Sequence, residues 1–148
     1  MKKLFILIVS AFLLNAGQAQ KTAATEPHLL AHYFELKDAL VNSDAVTASY
    51  KITDVINALN GSGKISAAVQ KKMTDAGKDL EKQRIAFAAL SIEMYSLVKK
   101  EKTSADTVYQ QYCPMKKMYW LSKEAIIRNP YYGKMMLSCG NLTDTIKP

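Results

Sequence analysis

Only two cysteines, Cys113 and Cys139, occur in the chain, and no Cys-x-x-Cys pair is present. Without that spacing, or a histidine near either thiol in sequence, the chain has neither a thiol-exchange motif nor a cysteine nucleophile with an obvious base. Arginine is confined to Arg84 and Arg128, and the lysines are dispersed, with short clusters at Lys71-Lys72, Lys99-Lys100 and Lys116-Lys117. A nucleic-acid binder concentrates its basic charge on one face and adds arginine or stacking aromatics, so the formal charge of +7 is not read as nucleic-acid affinity. No apolar run approaches the roughly twenty residues a membrane helix needs. Histidine is equally scarce: His28 and His32 stand four apart on an expected helix, which makes an incomplete zinc site and favours two surface residues. A Gly-rich phosphate loop, a Ser/His/Asp signature and a paired-carboxylate motif are all missing, so the reading is a protein that is not an enzyme.

The longest apolar run is Leu4 to Leu14, broken only by Ser10. Preceded by Lys2-Lys3 and followed by the small residues of Gly17-Gln18-Ala19, it has the layout of a cleavable export leader over residues 1–19. The mature chain is then expected to begin at Gln20, with residues 20–25 as a flexible lead-in and 26–148 as one domain. Loss of Lys2 and Lys3 leaves eighteen basic residues against thirteen acidic ones, a net +5. No cysteine follows the cleavage point to carry a lipid, so the expected location is the periplasm or the medium, with no membrane span. Disulfides persist in that compartment.

Helical periodicity dominates residues 26–100. Thr25 can cap a helix from Glu26 to Asn42, with Pro27 in its first turn and Leu29, Tyr33, Leu36 and Leu40 on one face. Ser43-Asp44 supplies a second cap before Val46, Ile52, Val55, Ile56 and Leu59, and Asn60-Gly61-Ser62-Gly63 reads as the turn that follows. Val69, Met73, Ala76, Leu80, Gln83, Phe87, Leu90, Met94 and Leu97 then repeat at heptad spacing. That pattern predicts one long helix from about Ile65 to Lys100, in which Gly77 costs about 1 kcal/mol relative to alanine and is the alternative site of a kink. The fold expected is therefore all-α: an antiparallel helical bundle with a C-terminal Cys/Met-rich segment packed on it.

That segment, residues 109–146, has both cysteines, the only tryptophan and four of the seven methionines. Val108 to Tyr112 and Met118 to Leu121 favour β-structure and suit a small hairpin; Pro130 and Gly133 frame a turn before a short helix near Lys134 to Ser138. Soft sulfur donors at both ends point to copper(I) or a similar ion rather than magnesium or calcium. The alternative is a structural disulfide between Cys113 and Cys139, for which chain entropy gives about 3.5 kcal/mol over a loop of about 27 residues. Either requires the two cysteines to be neighbours in the fold. Met73 and Met94 lie on the heptad stripe and read as core, whereas Tyr119, Trp120, Tyr131 and Tyr132 read as a ligand wall or as the cover of a small core.

Tyr112-Cys113-Pro114-Met115, Trp120-Leu121-Ser122, Asn129-Pro130-Tyr131-Tyr132-Gly133 and Met136-Leu137-Ser138-Cys139-Gly140, with Gln83-Arg84, Phe87 and Leu90-Ser91 upstream, carry a resemblance. Together they resemble an uncharacterised bacterial envelope domain. It is found as short exported proteins and as an appendage on periplasmic adaptor subunits of heavy-metal efflux pumps. The resemblance implies an association with metal efflux over nearly the whole mature chain, and it singles out Met115 and Met136 as thioether ligands. Where that family often carries histidines, this chain has Lys82, Ala86 and Tyr112, so a metal site here relies on sulfur. The set expected to hold metal is Cys113, Met115, Met136 and Cys139. The function expected is a soft-metal module that buffers copper(I) or delivers it to an efflux adaptor. The alternative is a non-catalytic interaction module, stabilised by the Cys113–Cys139 disulfide, that docks on an adaptor or another envelope protein.

Overall fold

The computed structural model describes residues 25–59, 62–102 and 104–148. The expected leader 1–19, the lead-in before Thr25 and the Asn60-Gly61 part of the turn lie outside the described residues. Among the described residues four helices come first: α1 Thr25–Val41, α2 Ala45–Leu59, α3 Ala67–Ala76 and α4 Leu80–Glu101. Three strands follow, β1 Val108–Cys113, β2 Met118–Ser122 and β3 Asn141–Ile146, with a short 3-10 turn at Gly133–Met136 before the last.

α1 and α2 form an antiparallel pair around a three-residue link. Ser43 adopts a left-handed φ of 58°, and Asp44 restarts the helix by accepting the Thr47 N–H at 2.9 Å and the Thr47 hydroxyl at 2.7 Å. The Asp44 carboxyl is held below its ordinary range by those bonds, the hydroxyl contributing most.

The long helix expected from Ile65 to Lys100 is two helices. Gly77 turns out of the helix at φ 52°, and Asp79 caps the start of α4 by accepting the Lys82 N–H. The buried stripe survives the break, because Ala76 and Gln83 remain one heptad apart across it: Val69, Met73, Ala76, Gln83, Phe87, Leu90 and Met94 are all buried. Gln83 holds the break together, its side-chain amide donating to the Gly77 carbonyl at 2.7 Å and to the Ala45 carbonyl of α2 at 2.9 Å. The carbonyl just past the end of α3 thus finds a donor, and the same amide ties it to the first residue of α2.

The all-α expectation is corrected by the sheet. β1 pairs antiparallel with β2, from Tyr109 opposite Ser122 to Cys113 opposite Met118. β3 adds to the other edge of β1, from Val108 opposite Ile146 to Tyr112 opposite Asn141, with an irregularity at Gln110/Gln111, so the order is β2-β1-β3. The fold is mixed, helices and a three-stranded antiparallel sheet. β3 is a largely exposed and polar strand, and its structure comes from β1, whose free edge it covers. The expected helix near Lys134 to Ser138 is the single 3-10 turn.

One core joins helices and sheet. Tyr33 of α1 stacks on Phe87 of α4 with ring centroids 4.9 Å apart, Phe87 meets Tyr131 at 6.1 Å, and Tyr131 meets Trp120 of β2 edge-on at 5.9 Å. All four rings are fully buried. Such pairs contribute about 0.5–1.5 kcal/mol each beyond the area they remove from water.

Candidate metal centre

Cys113 ends β1, and the chain turns over Pro114 to Lys117 into β2, with Lys117 at a left-handed φ of 55°. The turn is anchored by Lys116, whose ammonium lies 3.3 Å from Glu81 of α4 and 5.3 Å from the centre of the Tyr132 ring. Tyr132 immediately precedes the 3-10 turn that carries Met135 and Met136. The two methionine-bearing segments, separated in sequence, are therefore tied together through one lysine and one tyrosine.

Residues 123–140 lie against the sheet and helices by a set of buried polar contacts. Asn129, fully buried, uses its whole amide: its backbone N–H donates to the Leu137 carbonyl, its side-chain carbonyl accepts the Tyr131 N–H, and its Nδ2 donates to the Cys139 carbonyl at 2.7 Å. The Pro130 carbonyl accepts Arg84 Nε at 3.0 Å; the same guanidinium donates to Glu81 at 2.9 Å and to Ser43 Oγ at 3.1 Å. The Tyr131 hydroxyl donates to the Tyr119 carbonyl, and burial pushes its pKa well above the ordinary phenol value. At Gly133, φ is +56° and an added Cβ would lie 2.9 Å from the Val41 carbonyl oxygen. At Gly140 an added Cβ would lie 2.9 Å from the Trp120 ring and 3.0 Å from the Tyr112 carbonyl oxygen. Most of the C-terminal motifs are thus accounted for by packing and hydrogen bonds.

The sulfurs divide by exposure. Cys113 is fully buried, Cys139 is half-buried, and the structure holds both as unbridged thiols. Continuing the β1–β3 pairing one step past Tyr112 and Asn141 sets Cys113 opposite Gly140, the neighbour of Cys139, so both cysteines belong to the same end of that ladder. The Cys139 N–H donates to the Met136 carbonyl, a one-turn link between those two residues. Met115 is 62% exposed, Met135 78% and Met136 36%, whereas Met73 and Met94 are buried as the heptad requires. The expected aromatic wall splits likewise: Trp120 and Tyr131 belong to the core, Tyr119 pairs with Tyr112 at 4.5 Å between centroids, and Tyr132 is half-buried under Lys116.

His28 is exposed, and His32 finds different company from the one its spacing indicated. His32 Nδ1, Glu35 and Asp54 bring their ligating atoms within 4.8 Å of one another across α1 and α2. The signal available in sequence was the matching three-residue spacing of His32/Glu35 and Lys51/Asp54 on consecutive helices. A cavity of about 220 Å³ between α1 and the entry to β1, lined by Leu30, Phe34, Ser104, Val108 and Lys123, contains no thiol or thioether.

Comparison with known proteins gives a family and nothing finer. No curated protein and no solved structure matches the chain. A family model described as "Protein of unknown function (DUF3347)" matches residues 29–106, a little over half of the chain and nearly all of its helical part. The motifs between Tyr112 and Gly140 lie beyond the match, so the residues expected to hold metal are outside the matched region. By its helices, α1 to α4, the chain belongs to the DUF3347 family of proteins of unknown function.

Proposed function

We propose that the protein is an exported, non-catalytic module that binds copper(I) or an ion of similar softness at its C-terminal sulfur segment. The observation that carries this reading is the exposure of Met115 and Met136. Methionine ordinarily fills cores, as Met73 and Met94 do here, yet these two are exposed, Met136 one turn before the half-buried Cys139 and Met115 on a segment tied to that turn by Lys116 and Tyr132. Thioether and thiolate donors match a soft monovalent ion. Met115, Met136 and Cys139 would receive the ion from solvent, and Cys113, fully buried, would join only when the end of β1 loosens. A reversible site of that kind suits buffering, or delivery to an efflux adaptor in the periplasm, rather than permanent retention.

A second reading, a docking module for an adaptor or another envelope protein, is favoured by the exposure of Ile126 at 74% and Met135 at 78% on the same segment. One experiment separates the two: anaerobic copper(I) titration of the wild type against Met115→Leu/Met136→Leu. Leucine roughly preserves volume and apolar character while removing sulfur. A fall in copper(I) affinity of at least tenfold is expected. Equal affinity would exclude thioether ligation and leave the docking reading standing.

A further inference from the structure

We propose a second cation site, of different chemistry, at the α1–α2 seam: His32, Glu35 and Asp54 as ligands for a borderline divalent ion of the zinc class, with Lys51 as a built-in competitor. Three donors from two helices already converge, their ligating atoms all within 4.8 Å of one another. His32 Nδ1 lies 3.2 Å from Glu35 Oε2. A positive group already sits among the carboxylates: the Lys51 ammonium is 3.0 Å from Glu35 Oε2 and 3.2 Å from Asp54 Oδ2. The two acids therefore point at a common cationic position, and the imidazole is beside it.

The donor set selects the ion. One imidazole and two carboxylates suit zinc and its neighbours; calcium takes six to eight oxygens and copper(I) prefers sulfur. Zinc–nitrogen and zinc–oxygen bonds of about 2.0–2.2 Å put tetrahedral ligands about 3.3–3.6 Å from each other. Reaching that shell from 4.8 Å takes a contraction of about 1.2–1.5 Å, within reach of side-chain rotation. The side chains have room, at 32% exposure for His32, 48% for Glu35 and 39% for Asp54. Three protein ligands leave a fourth position for water or for a group of an incoming partner. On binding, Lys51 would swing into solvent with its proton, and a neutral imidazole would carry its own proton on Nε2, leaving Nδ1 for the metal.

Lys51 sets the threshold. Its ammonium bridges the two carboxylates that would ligate the ion, 3.0 Å from Glu35 and 3.2 Å from Asp54. An ion must displace that interaction, so the wild-type site would respond only to concentrations above those an unguarded site would need.

The test is zinc(II) calorimetry and cobalt(II) absorption titration of the purified wild type, Lys51→Met, Lys51→Met/His32→Ala and Lys51→Met/Asp54→Asn, with circular dichroism to confirm that each folds. Lys51→Met is expected to bind zinc(II) at least tenfold more tightly than the wild type. Each added ligand variant should lose at least tenfold of that affinity, and the cobalt(II) spectrum should lack a sulfur-to-metal charge-transfer band. Lys51→Met no tighter than the wild type, retention of the gain without His32 or Asp54, or a charge-transfer band that tracks binding would each overturn the proposal. The last outcome would assign the ion to the cysteines. Copper(I) binding at Met115 and Met136 should be the same in Lys51→Leu, which also removes the ammonium but brings no new thioether to the seam, so the two sites are tested independently.

Discussion

Tyr33 on α1 and Leu121 on β2, 88 positions apart in sequence, are joined by a 2.9 Å hydrogen bond from the Leu121 backbone N–H to the tyrosine hydroxyl. The same hydroxyl lies 2.7 Å from Ser91 Oγ, and Ser91 donates to the Phe87 carbonyl at 2.8 Å. With the serine proton committed to α4, Tyr33 donates to Ser91 and accepts from Leu121. A single buried oxygen thus connects the first helix, the longest helix and the sheet. Burial pushes its pKa well above the ordinary phenol value, so it remains a neutral hydroxyl.

Removing that oxygen should cost more than a surface hydrogen bond. Tyr33→Phe keeps the ring stacked on Phe87 but leaves the Leu121 N–H without its partner. An orphaned buried donor costs about 1–3 kcal/mol. Urea unfolding should show a lower midpoint with an unchanged slope, and a loss below about 0.5 kcal/mol would mean that the N–H finds another acceptor.

Two of the positive-φ glycines, Gly77 and Gly133, should respond differently to alanine. Gly77 has open space around an added Cβ, so Gly77→Ala carries only backbone strain, about 1–3 kcal/mol. At Gly133 the same strain is joined by approaches of 2.3 Å to Ser43 Oγ and 2.9 Å to the Val41 carbonyl oxygen. Gly133→Ala is therefore expected to be the more damaging by at least about 1 kcal/mol. Thermal unfolding of the pair decides the order, and equal losses would show that the Val41–Gly133 approach relaxes freely.

Asp144 should give stability an acid limb. Its carboxyl is held down to about 2 from an ordinary 3.8 by the Tyr95 hydroxyl first, then the Lys99 ammonium, then the Thr145 N–H. Because the folded value is the lower one, the contribution is present above pH 3.8 and is lost as pH falls toward about 2. Asp144→Asn should be less stable at neutral pH by about 0.2–1 kcal/mol and should lose less between pH 4 and 2. Acid-unfolding curves of equal steepness would remove Asp144 from the account.

The cysteines should label at different rates. Cys139, half-buried, is expected to react with a thiol reagent in the native state, whereas Cys113 must await opening of the core. Two thiols, one fast and one slow, are expected under non-reducing conditions. Equal rates would contradict the burial of Cys113, and no reactive thiol at all would favour the disulfide alternative.

The first two helices and the heptad stripe were legible in the residues, because a helix that buries one face must repeat its apolar residues every three or four positions. Leu29, Tyr33, Leu36 and Leu40 do so, as do Val69 through Met94, and all are buried except Leu80, which is half-buried. The same logic favoured one helix and left Gly77 only as an alternative kink, because the heptad count runs on from Ala76 to Gln83 across the gap; Gly77 ends α3 and the cap at Asp79 begins α4. β3 had no pattern to read. Asn141-Leu142-Thr143-Asp144-Thr145-Ile146 lies on an exposed edge and owes its conformation to hydrogen bonds with β1, residues 29 to 38 positions away.

The sulfur atoms were visible as composition, but their accessibility was not. The sequence by itself determined which donors the C-terminal segment holds and which methionines lie on the heptad stripe, since residue type and local spacing suffice for both. Tertiary structure alone decided that Cys113 is sealed while Met115 is open, because that depends on how residues 123–140 pack through Asn129, Arg84 and Tyr131. It also decided that His32 meets Glu35 and Asp54 instead of His28, since helix pairing sets which side chains face each other across a seam. Burial and convergence are properties of surfaces brought together from distant parts of the chain, and the cost of leaving polar groups unpaired between those surfaces selects the arrangement.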